Sequence, residues 1–119
     1  MINYIILILS LLNKYHYGSY NRAILKQKRG VRGLVQDHHI IPRQFSHRVN
    51  IDIDGSNNLI MLPTLYGKLC LNTSRPIHEN GHPKYNKYIG QLLDQNFTED
   101  FIIIFIRQQL LNDSLNRVI

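Results

Sequence analysis

Residues 37–48 read DHHIIPRQFSHR, and two adjacent histidines ahead of an apolar pair and a proline form an arrangement that a packed core does not require. Neighbouring side chains in a regular strand point to opposite faces, so His38 and His39 can serve one site only where the strand ends or bends. Pro42 fixes φ and removes a donor, which places such an ending directly after the pair.

Downstream, residues 50–58 (NIDIDGSNN) form the strongest turn cluster in the chain, and LIMLP at 59–63 is short, apolar and closed by Pro63. Those features predict a buried strand after an irregular loop. With HHII at 38–41 as the first extended segment, the expected assembly is a β-hairpin. Tyr85, Tyr88, Ile89, Leu92 and Leu93 then recur at helical spacing behind Pro83, which suits a first helical position, and predict an amphipathic helix to about Gln95. A second helix is expected from FTEDF, where Thr98 can cap and Glu99 and Asp100 suit the positive end of the dipole, to about Asn112.

Upstream, residues 13–36 are polar, Tyr-rich and basic. LKQKRGVRG at 25–33 sets Lys26, Lys28, Arg29 and Arg32 around a Gly30 turn, readable either as a phosphate-contacting arm or as a solvated loop. The opening MINYIILILSLL is apolar but shorter than the roughly 20 residues that span a bilayer. Its first charge, Lys14, follows the apolar run rather than preceding it, unlike a secretory leader, so a core-packed first element is expected.

The 119 residues are expected to form a single domain. Fourteen Lys and Arg against eight Asp and Glu give a formal charge of +6, which favours polyanionic partners. Cys70 is the only cysteine, which excludes an internal disulfide and a Cys-rich zinc finger. A metal would have to sit on His, Asp, Glu or Asn. His78 and His82, four residues apart in RPIHENGHPKYN, have a metal-ligand spacing, and Gly81 and Pro83 favour a turn entering the helix over a helical His pair.

The order His-His-x-x-Pro, loop, NNLIMLP, then His-x-x-x-His opening a helix resembles the HNH nuclease superfamily, most closely its AHH group, over about residues 36–93. The resemblance implies an α+β fold: a small ββα-metal core with flanking N-terminal and C-terminal helices. It implies a metal-dependent endonuclease acting on nucleic acid, with DNA expected, and one divalent ion (Mg, Mn, Ni or Zn) held by His38, His78 and His82. His39 becomes the general base, suited by an unperturbed pKa near 6.5. Asn58 resembles the family's strand asparagine that keeps the base aimed, and it also reads as an ordinary Asx-turn residue.

Arg43, Lys28, Arg29 and Lys84 are the candidate phosphate contacts. Lys87 could act likewise on the exposed side of the helix, with a solvated charge the alternative for each. Asp37 stands where the group carries Ala, and could orient an imidazole as an acceptor. Tyr85 fits the core stripe, and His16 and His47 read as surface or loop histidines. The competing function is a non-catalytic nucleic-acid-binding module whose four histidines, His39 included, hold a structural zinc. An intracellular location is favoured; a secreted, toxin-like role with an immunity-type inhibitor stays open.

Overall fold

A computed structural model describes residues 19–79 and 81–112. The apolar opening segment and His16 lie outside the described residues. The elements are α1 (Ser19–Lys28), β1 (Val35–His39), β2 (Leu59–Pro63), α2 (Leu65–Cys70), α3 (Pro83–Asp94) and α4 (Glu99–Leu111), with 3-10 turns at Arg43–Phe45 and Ser56–Asn58. This is a mixed helix and strand fold built on a two-stranded antiparallel sheet, compatible with a small α+β HNH-like core. Among the described residues no helix is long and apolar enough to cross a membrane.

The hairpin forms as expected, but its first strand starts earlier. β1 runs VQDHH rather than HHII, in the register Val35↔Pro63, Asp37↔Met61 and His39↔Leu59. Gln36 and Asp37 carry no apolar alternation; pairing with the wholly buried LIMLP strand is what extends them. Beyond His39 the chain stays tied to β2 irregularly, through the Ile40 amide donating to the Asn58 carbonyl at 2.8 Å. That leaves Ile40 and Ile41 fully buried in the core.

The two C-terminal helices match expectation. Pro83 opens α3, and the Thr98 hydroxyl caps α4 by accepting from the Phe101 amide. Their inward faces close one core of Ile40, Ile41, Ile60, Leu62, Tyr85, Ile89, Ile102, Ile106 and Leu110. Full burial of such side chains is worth roughly 1.5–3 kcal/mol each. The Tyr85 hydroxyl donates to the Ile40 carbonyl at 2.6 Å, so this core tyrosine also fixes the chain just past the histidine pair.

The basic arm is not a loop throughout: residues up to Lys28 are helical. Asp37 ties α1 to the sheet through ion pairs. Its Oδ2 accepts from Arg22 Nε at 3.1 Å and pairs with Lys26 Nζ at 3.0 Å, tying the helix to β1. The expectation that Asp37 orients an imidazole is therefore corrected, because strand alternation carries its side chain away from the one after it. Lys26 is spent on this tie, whereas Lys28, Arg29 and Arg32 remain exposed. Gly67 in α2 lets that helix press on the chain entering β1, since a Cβ there would sit 1.8 Å from the Leu34 carbonyl oxygen.

Candidate active site

Two segments distant in sequence meet at the end of the hairpin. His38, fully buried on β1, faces His78 and His82, with ring centroids 5.2 and 5.1 Å away; His78 and His82 are 5.6 Å apart. One nitrogen from each ring lies within 4.8 Å of the others.

Strand alternation points His38 into this cluster, and its neighbours come from the connection between α2 and α3. The His78 amide donates to the Pro63 carbonyl at 2.8 Å, extending the end of β2, and Arg75 Nη1 donates to the Met61 carbonyl at 2.9 Å. Gly81, at φ +80°, then turns the chain so that His82 immediately precedes α3. The turn expected from Gly81 and Pro83 is the geometry found.

Hydrogen bonds select the tautomers. His78 Nδ1 donates to Gln36 Oε1 at 2.9 Å, and His82 Nδ1 donates to Asn86 Oδ1 at 3.0 Å. Each ring keeps its lone pair on Nε2, the arrangement in which ligating imidazoles are held by an acceptor behind them. His38 is different: both its ring nitrogens are buried without a hydrogen-bond partner. Burial, then the neighbouring His78, His82 and His39, push its pKa down to about 2. Burial first, then His82 and His39, also lower that of His78, against an opposing pull from Asp37. An orphaned, neutral imidazole beside two oriented ones fits a divalent cation with nitrogen ligands.

His39, the last residue of β1, is not in this cluster. Its Nε2 donates to Asp54 Oδ1 at 2.8 Å, which leaves the lone pair on Nδ1. Arg43 reaches the same Oδ1 from Nε at 3.0 Å, and these two donors hold the Asp54 carboxyl below the usual carboxylate range.

Behind them Asn58 is buried and spent three ways. Its Oδ1 accepts from the Ile41 amide at 2.8 Å, and Nδ2 donates to the Ile41 and Ile53 carbonyls at 2.9 Å each. The amide thus clamps the far end of the loop against the residues that follow His39. Lys84 and Lys87 are exposed on α3, and His47 is exposed as expected. The sequence patterns do not single out Gln36 or Asp54. Gln36 lies two before His38 on the same strand face, a period-2 signal, whereas Asp54 is one of two carboxylates in a turn cluster and carries no such mark.

A sequence model of AHH, a nuclease family of the HNH/ENDO VII superfamily with conserved AHH, matches residues 20–100. This chain belongs to the AHH nuclease family. The histidine pair at 38–39, His78 and His82 all lie within the matched residues, as does the Asp37 that binds α1. Comparison with curated proteins and with solved structures found no match. As an AHH nuclease, the protein takes nucleic acid as its substrate.

Proposed function

We propose that this AHH nuclease is an endonuclease that hydrolyses phosphodiester bonds in DNA, with His39 as general base and one divalent ion on His38, His78 and His82. The observation that carries this reading is the split of the adjacent histidines. His38 joins the imidazole cluster, while the Nε2 of His39 is committed to Asp54. A structural zinc module would need His39 as its fourth ligand, and His39 lying outside the three-imidazole group speaks against it.

His38, His78 and His82 would hold the cation, which when bound supplies Lewis-acid stabilisation of charge developing on phosphate oxygens. The chain's own part follows from the tautomers. His39, neutral, accepts at Nδ1 the proton of a water whose oxygen attacks phosphorus, and the leaving ester oxygen is protonated from solvent. Asn58 keeps the loop and the base in register. Arg43, Lys28, Arg29 and Lys84, all exposed, contact the phosphate backbone. We propose a single domain of residues 1–119 with its nuclease core at about residues 36–93.

The test incubates supercoiled plasmid, and separately RNA, with the protein across magnesium, manganese, nickel and zinc beside a chelator control. Nicked and linear plasmid with metal, and none with chelator, is expected. His38→Ala should lose metal affinity by calorimetry. His39→Ala should keep metal and DNA binding while single-turnover cleavage slows roughly a hundredfold to ten-thousandfold. Should His39→Ala lose metal as badly as His38→Ala, both rings are ligands and the zinc module is the better account.

A further inference from the structure

The loop between the strands delivers a carboxylate to the back of His39. Asp54 Oδ1 lies 2.8 Å from His39 Nε2 and receives Arg43 as well. Two features hold it there. The Asp54 amide donates to the Asp52 side chain at 3.2 Å, an Asx turn, and Asn58 clamps the preceding Ile53 carbonyl. A carboxylate facing Arg43 can only accept, so the shared proton belongs to Nε2 and the ring is held with Nδ1 free.

We propose that Asp54 is a positioning residue of the nuclease centre: its carboxylate fixes the orientation and the Nε2–H tautomer of His39, an assignment that rests on His39 being the base. When Nδ1 takes the proton of the attacking water, the O–H bond breaks, the oxygen bonds to phosphorus, and the bond from phosphorus to the leaving oxygen breaks. The imidazolium so formed keeps its Nε2–H on Asp54, and the carboxylate offsets the new positive charge. Arg43 holds the carboxylate in place and ionised, the part an orienting group plays behind a catalytic imidazole.

Two readouts test this. The first is 15N NMR of the histidine rings in metal-free protein: His39 should give an Nε2–H signature in the wild type and mixed tautomers in Asp54→Ala. The second is single-turnover plasmid cleavage. Asp54 is about half exposed, so the loss should be smaller than the roughly ten-thousandfold of a buried triad aspartate. Asp54→Ala and Asp54→Asn should slow cleavage by about tenfold to a hundredfold, with metal affinity unchanged and DNA binding no weaker, and Asp54→Glu should recover part of the loss.

In a His39→Ala background, Asp54→Ala should cost no more than about twofold, because the residue it positions is gone. An unchanged His39 tautomer in Asp54→Ala, or a full extra loss in the double variant, would overturn the proposal. If the wild type cuts nothing with any metal, the nuclease reading fails by itself, and the tautomer spectra still decide whether Asp54 sets the ring.

Discussion

Asn58 satisfies three backbone groups with one side-chain amide, and two of them are on Ile41. Asn58→Ala leaves those groups without that partner, the two on Ile41 in buried bonds, at about 1–3 kcal/mol for each buried group left unpaired, so a loss on the order of 3 kcal/mol is expected in a urea denaturation. A loss below about 1 kcal/mol would mean that the loop is held by other contacts. The resemblance names Asn58 in the sequence, and the histidine pair with His78 and His82 is legible there for the same reason. Asp54 is not legible, because its partner is 15 residues away across a loop whose path only the clamp defines. The fully buried His38 carries a pH consequence. Its pKa is near 2 folded and near 6.5 unfolded, so between those values the unfolded chain binds more protons. Metal-free protein should therefore be most stable above about pH 6.5 and lose stability on acidification, by roughly 2 kcal/mol from pH 7 to pH 5, with His78 acting in the same direction. Denaturation midpoints in chelator at the two pH values measure it. His38→Leu should flatten the dependence, and an equally steep curve in that variant would assign it elsewhere.

Elements read best where packing and local chemistry agree. LIMLP, the Pro83 start and the Thr98 cap each combine an apolar pattern with a boundary signal, and β2, α3 and α4 form as the sequence predicts. Helix α1 is harder to read, since SYNRAILKQK is mostly polar and its basic run suggests a loop. It is tied by a carboxylate outside the helix, at Asp37. Asp37→Ala removes that tie at an expected cost of about 1–3 kcal/mol, since the paired side chains are only 12–20% exposed and a charge-assisted bond is lost. Amide exchange along α1 should accelerate, while plasmid cutting should stay within about twofold of wild type. Protection of α1 unchanged by the substitution would show that its apolar contacts alone dock it.

Across the whole molecule, the formal charge of +6 and the exposed Lys28, Arg29 and Lys84 set the terms for meeting a polyanion. Affinity for duplex DNA should fall linearly on a log–log plot against salt, each neutralised phosphate adding about −0.9 to the slope. Replacing Lys28 and Arg29 with Ala should make that slope shallower by up to about 1.8 in fluorescence anisotropy titrations. A slope unmoved by the double substitution would place the phosphate contacts on another face. Because β1 and β2 pair in a fixed register, the chemistry carried by β1 obeys an odd–even rule: Gln36 and His38 serve the imidazole cluster, and Asp37 serves α1. One residue inserted between Gln36 and Asp37 reverses parity on one side of the insertion, so either Gln36 parts from His78 or His38 leaves its companions. Two inserted residues restore the alternation. An even-step insertion therefore keeps Asp37 and His38 on their own faces but still carries Gln36 about 7 Å along the strand from His78, so the ring loses its acceptor while the cluster keeps its parity.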